Sequence, residues 1–157
     1  WKEYDRGSIS TTEMIKRAAD RTGLSEEALE TLMNVVISTL HPLDGSVKLF
    51  ESLHRAGYPL YCCSNIPEMF IAPLERDNRF FELFWGKVYS SRIGSIKPEP
   101  EIYTYLLSTF GLEPEQTVFI DDLQENVEGA RSFGMKAIHF TSIEKCRQAL
   151  QSFCVRW

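Results

Sequence analysis

The sequence predicts an α/β fold in which helices cover both faces of a parallel sheet, fronted by a small all-helical unit. Three observations predict it. Up to about residue 40 the apolar residues recur only at helical spacing. Beyond that, short apolar runs alternate with amphipathic stretches, and glycines punctuate them. The bulk composition, 157 residues with 43% hydrophobic and 25% charged, suits one domain with a real core, or such a domain plus a small appendage.

The elements come in order along the chain. Ser10-x-x-Glu13 is a capping box that opens a helix through about Arg21, with Gly23 as its stop. Ser25 caps a second helix, whose apolar face is Leu29, Leu32, Met33, Val36, Ile37 and Leu40. His41-Pro42-Leu43-Asp44-Gly45 reads as a linker, which divides the chain into a front unit, 1–41, and a main unit, 42–157. Val47, Phe50 and Leu53 mark a helix stopped by Gly57, and Tyr58 to Cys63 is a strand with Pro59 tolerated at its start. Pro67 sits in the first turn of the next helix, and Lys87 to Ser90 is a short strand. Ile102, Tyr105, Leu106, Thr109 and Phe110 mark a helix ended by Gly111. Thr117 to Ile120 is an apolar strand, Gln124 to Phe133 a helix, and Lys136 to Phe140 the last strand. Thr141-x-x-Glu144 caps a closing helix that turns Ile143, Cys146 and Leu150 inward.

Several function classes lose support at once. A net charge of −5 gives a nucleic-acid partner no electrostatic footing. No apolar run approaches the ~20 residues of a membrane helix, and no signal peptide is visible. Cys62 and Cys63 are neighbours inside an apolar run, and with Cys146 and Cys154 they form no Cys-x-x-Cys. Free thiols in a reducing compartment are expected, hence a cytoplasmic location. The tryptophans Trp1, Trp85 and Trp157 read as packing residues, and His41, His54 and His139 show no ligand spacing. Nothing in the sequence sets the oligomeric state.

Chemistry is sought where strands end, because ligands of open parallel sheets bind outside the carboxyl ends of the strands. Ser64-Asn65 follows the first strand, Lys97 follows the second, and Asp121-Asp122 closes the third. Each has an ordinary structural use: Ser64-Asn65 as a helix cap, Lys97 as a solvated lysine, the aspartates as a cap. Together they supply an anion-binding hydroxyl at a helix start, a cation, and two adjacent carboxylates. Adjacent like charges need a positive group beside them, and a divalent metal is the usual one.

Ser64-Asn65, Gly94-x-x-Lys97-Pro98-Glu99-Pro100-x-Ile102-Tyr103 and Phe119-Ile120-Asp121-Asp122-x-x-x-Asn126 resemble the second, third and fourth motifs of the haloacid dehalogenase-like hydrolase superfamily. The resemblance runs from about Leu43 to Phe140 and is most similar to the glucose-1-phosphate phosphatases and the phosphatase domain of soluble epoxide hydrolases. It implies a Rossmann-like core with 1–41 as part of a helical cap. It also implies a magnesium-dependent phosphatase that acts on a small phosphorylated metabolite, such as a sugar phosphate, through an aspartyl-phosphate. By motif, Ser64, Asn65 and Lys97 would bind the phosphoryl group, and Lys97 would stabilise its charge in catalysis. Asp122 would ligate Mg2+ directly, Asp121 directly or through water, and Asn126 would orient the pair.

One motif is missing. The family's nucleophile and general acid/base lie in a strand ending Asp-x-Asp, ahead of the cap, and these residues contain no Asp-x-Asp. Asp5 and Asp44 lie in polar or linker stretches and do not replace it. A core without its first, central strand is expected to leave two unpaired sheet edges, and the chain as written to be inactive. Two other readings compete. A 2-haloacid dehalogenase would keep the Ser-Asn and Lys-Pro set without metal, and a non-catalytic interaction domain would need none of it.

Overall fold

The computed structural model describes residues 1–157, apart from the side chain of Asp44, which lies outside the described residues. The front unit opens on a short helix, α1 (Lys2–Asp5), in the polar stretch that holds Asp5. Then come α2 (Thr11–Thr22) and α3 (Glu26–Thr39), starting where their caps place them. Ser10 Oγ accepts from Glu13 N at 3.1 Å and Ser25 Oγ from Ala28 N at 3.2 Å. The first capping box is only half formed, because the Glu13 carboxylate turns to Arg17 one helical turn on.

The first helix of the main unit begins inside the stretch that the sequence reads as a linker. Helix α4 (Asp44–Arg55) already includes Asp44 and Gly45. Strand β1 (Leu60–Ser64) comes next, then α5 (Glu68–Asp77), with Pro67 as its N-cap and not in its first turn. After a 3-10 turn at Arg79–Leu83 comes β2 (Phe84–Tyr89), three residues longer at its start than the sequence suggests. A single helical turn, α6 (Ser90–Ile93), leads into the Lys97 loop and α7 (Pro100–Phe110). A second 3-10 turn (Pro114–Gln116), β3 (Val118–Asp121), α8 (Gln124–Ser132), β4 (Lys136–His139) and α9 (Ile143–Ser152) complete the chain. The cap of α9 is Ser142, whose hydroxyl accepts from Lys145 N, one residue past the expected Thr141.

The four strands are parallel but make two pairs, β1 with β2 and β3 with β4. Alternation along β1, β3 and β4 still builds the expected three layers. Tyr61, Cys63, Val88, Phe119 and Ala137 point to one side, against Ile102, Tyr103 and Leu106 of α7 and Val127 and Ala130 of α8. Leu60, Val118, Ile120 and Ile138 point to the other, against Leu49 and Leu53 of α4 and Cys146 and Leu150 of α9. Both pairs therefore belong to one sandwich, with β1 and β3 each presenting an unpaired edge. A third cluster, Tyr4, Met33 and Phe70 with Ile9, Met14, Val36 and Ile37 around it, fixes the front unit to α5.

Some of the expected packing does not occur. Leu32 and Leu40 of the α3 face are 50% and 43% exposed, because the front unit buries only the Leu29 and Met33 side of that helix. Tyr105 is exposed on α7 while Tyr103 is fully buried, and Trp1 and Trp85 lie largely in solvent. Trp157 packs against the α4–α9 layer, as expected.

Tyr103 locks α7 onto α8. Its hydroxyl donates to Asn126 O at 2.8 Å, and its ring lies so close to α8 that a Cβ on Gly129 would meet the hydroxyl oxygen at 2.7 Å. Gly129→Ala would gain about 1 kcal/mol of helix propensity. Against that stand about 1–3 kcal/mol of overpacking and about 1 kcal/mol for the lost hydrogen bond. The clash wins. The variant is expected to unfold at lower denaturant concentration, with the slope of the transition unchanged.

Candidate active site

The site is built from the carboxyl ends of β1 and β3 and the loop between α6 and α7. Helix α6 ends at Gly94, whose left-handed φ of 72° turns the chain toward the sheet. The loop then brings Lys97 across the gap between the strand pairs. Its Nζ donates to Cys63 O at 2.8 Å and to Asp121 Oδ2 at 2.7 Å, so one ammonium ties the ends of β1 and β3 together. Both side chains of this ion pair are buried, at 10% and 4% exposure.

Asn65 holds the lysine from behind. Its Oδ1 accepts from Lys97 N at 2.7 Å and its Nδ2 donates to Lys97 O at 2.9 Å, a reciprocal bracket on the lysine's own backbone. The Asn65 side-chain amide is thereby engaged on the loop, and its assignment to phosphate would rest on other atoms of the residue. Ser64, the last residue of β1, is half-buried, and its hydroxyl forms no hydrogen bond among the described residues.

Asp121 and Asp122 have opposite surroundings. Asp121 is 7% exposed and fully engaged: Oδ2 on Lys97, Oδ1 on Leu123 N at 2.9 Å and on Asn126 Nδ2 at 2.9 Å. Burial alone would raise its carboxyl. The Lys97 charge and these hydrogen bonds outweigh burial and hold it below the usual carboxylate range. Asp122 is exposed, and among the described residues its carboxylate has no partner. Its backbone is fixed instead by His139, whose Nε2 lies 2.9 Å from Asp122 O.

His139, which the sequence places by the last strand and sets aside for want of ligand spacing, belongs to this site. It ends β4, and the same search at strand ends that finds Ser64 and Asp121 could have found it. The thiols beside the site are poor nucleophiles: burial pushes Cys62 up to about 11 and Cys63 up to about 12. All four cysteines are free thiols.

The donors suit a hard cation in kind. Asp122 offers a free carboxylate, and Asn126 Oδ1, in a side chain only 2% exposed, is a buried acceptor with no donor. They are short in number. No group of three or more His, Cys, Asp or Glu that could hold a metal exists among the described residues. Asp122, with Asp121 behind it, can supply one side of a metal site whose remaining oxygens come from elsewhere.

Residues 5–134 match the haloacid dehalogenase-like hydrolases, and the chain belongs to that family. It is 27% identical, over 96% of its length and 78% of the relative's, to a sesquiterpene phosphatase of Aspergillus oryzae. It is also 30% identical to a phosphoglycolate phosphatase of Pasteurella multocida, over 90% of this chain but only 60% of that protein. Among solved structures, the fold resembles that of a haloacid dehalogenase family enzyme from Bacteroides thetaiotaomicron, in complex with magnesium and inorganic phosphate. There the TM-score is 0.73 at 23% identity, over 87% of this chain and 72% of that one. No helix among the described residues is long and apolar enough to cross a membrane.

Proposed function

We propose that these residues form the phosphate- and metal-binding part of a magnesium-dependent phosphomonoester hydrolase that works through an aspartyl-phosphate. The observation that carries this reading is Lys97, held on Cys63 O and Asp121 between two strand ends, beside the uncommitted Ser64 hydroxyl. A phosphoryl group seated there would meet a donor hydroxyl and the remaining ammonium proton of Lys97. In-line transfer needs positioning and charge neutralisation above all, and Lys97 supplies both. Asp121 holds the ammonium in position. Asp122 would hold Mg2+ with Asp121 behind it, and the bound ion would act as a Lewis acid that neutralises phosphoryl oxygens. Asn126 and His139 fix the two aspartates from either side.

The relatives that are phosphatases by name, and a neighbour holding magnesium and phosphate, support this reading. Their substrates differ, which suits a core that handles phosphate while the front unit, 1–41, serves as part of a cap that selects the rest. A small phosphorylated metabolite in the cytoplasm is the proposed substrate class, with sugar phosphates first to be tried. A metal-free dehalogenase gains nothing from an unpaired carboxylate such as Asp122.

The nucleophile is proposed to come from a strand outside these residues that ends Asp-x-Asp and lies between β1 and β3. Purified residues 1–157 are therefore expected to release no phosphate from an aryl phosphate with magnesium present. Release above the buffer rate, abolished by chelator, would show that the chain carries its own nucleophile and overturn this part of the reading.

A further inference from the structure

We infer that Arg6 and Glu99 form a clasp by which the front unit sets the position of Lys97, which makes Arg6 a positioning residue for the site. The inference rests on the proposed phosphatase function for its consequence in turnover, but its geometry stands independently. Arg6 reaches Glu99 with both terminal guanidinium nitrogens, one on each carboxylate oxygen, across 93 positions of sequence. This fork-to-fork arrangement is the directional form of an ion pair, and each side chain is only about a third exposed. The same Glu99 also accepts from Ile96 N at 3.1 Å and Ser95 Oγ at 3.3 Å. Glu99 thus grips the loop on the residues immediately before Lys97, and Arg6 grips Glu99.

A second connection runs from the same segment to the other side of Lys97. Ser90, fully buried, donates its hydroxyl to Asp5 O and accepts from Ile66 N at 2.8 Å. Ile66 comes directly after Asn65, which brackets the lysine backbone. Arg6 therefore touches one support of Lys97 directly, through Glu99, and Asp5 reaches the other through Ser90 and Ile66.

Gly7 makes this approach possible. Its φ is +76°, and a Cβ there would collide with the backbone oxygen of Ser91, so only glycine lets the chain lie this close to α6. These contacts fall on one short segment of the front unit, at the end of α1. By contrast, the Arg17–Glu13 pair elsewhere on the front unit is solvent-exposed and touches nothing near the site.

The test uses the amine of Lys97 itself and needs no turnover. Folded residues 1–157 are exposed briefly to an amine-acylating reagent, and modification is read lysine by lysine by peptide mass spectrometry. In the unmodified sequence Lys97 is expected to react slowly, because its ammonium is buried and paired. Arg6→Gln should raise the Lys97 rate on the order of tenfold by freeing the loop, with exposed Lys136 unchanged. Glu99→Gln should do the same, and Arg6→Lys should restore protection only in part, since an ammonium cannot make the forked contact. Arg17→Gln should leave Lys97 at its original rate. A merely structural role would lower the melting temperature and raise all protected lysines together. If Arg6→Gln and Glu99→Gln both stay folded with Lys97 still protected, the clasp does not position it. Should Arg6→Gln fail to fold, Glu99→Gln and Arg6→Lys give the same reading. Because no catalysis is measured, a failed phosphatase assignment would leave this outcome unchanged.

Discussion

Lys97→Met is expected to destabilise the protein by about 3–5 kcal/mol near neutral pH, because it strands the Asp121 carboxylate without its cation. For a chain of this size that is a fall in melting temperature on the order of 10 °C. The size of the effect stems from burial. An exposed ion pair contributes about 0–1 kcal/mol, but the Asp121 side chain is 4% exposed and its second oxygen already carries two donors. Adding Asp121→Asn to Lys97→Met should recover a large part of the loss, since a neutral amide can sit there without a counter-charge. Thermal unfolding of the single and double variants checks the cycle; additive losses would mean that the pair is not coupled.

The pH dependence carries a sign that separates this mechanism from loose packing. With Lys97 present, the folded-state carboxyl of Asp121 lies below its ordinary value. It therefore contributes stability above the unfolded pKa of about 3.9, and that contribution disappears as pH falls through the folded value. In Lys97→Met, burial is opposed only by the Leu123 and Asn126 hydrogen bonds, and the carboxyl is expected to rise and the slope to reverse. The variant should lose stability as pH rises above about 4, and the gap to the unmodified protein should widen from about pH 5 to about pH 8. Both proteins are to be measured with chelator, so that no cation stands in for the lysine. A gap that stays constant with pH would assign the loss to packing alone.

How much of the fold and the site is legible in the sequence depends on the range of the interaction. Helices α2, α3 and α8 and strand β3 announce themselves through local caps and periodicity, and each strand ends close to where the sequence places it. The start of β2 escapes notice because Trp85 and Gly86 break alternation. Gly86 is small there for a tertiary reason: a Cβ would collide with the Phe110 ring. The exposed Leu32 and Leu40 show the complementary limit, since periodicity marks an apolar face but not whether anything packs on it. At the site, residue types and order are readable, and partners are not. Nothing local to Asn65 says that its amide grips the backbone of a loop 32 residues away. Nothing near Arg6 points to Glu99, and the unlike surroundings of two adjacent aspartates exist only once Lys97 has folded between the strands.

Those unlike surroundings make Asp122→Asn the sharper test of function. Its carboxylate is exposed and without partner, so its removal should leave stability within about 0.5 kcal/mol, as for most surface substitutions. Asp121→Asn, by contrast, should destabilise clearly, because it leaves Lys97 buried without its counter-charge. In a protein supplied with the nucleophile strand, Asp122→Asn is nevertheless expected to lower phosphate release on the order of 10²-fold or more, with raised magnesium needed to approach saturation. A large loss of turnover with unchanged melting temperature has few structural explanations at a carboxylate that touches nothing else. Steady-state rates across a magnesium titration measure it. Near-normal turnover in Asp122→Asn would remove the metal assignment. If halide release from a 2-haloacid also proceeded without magnesium, the site would belong to a dehalogenase, with Lys97 neutralising a carboxylate in place of a phosphate.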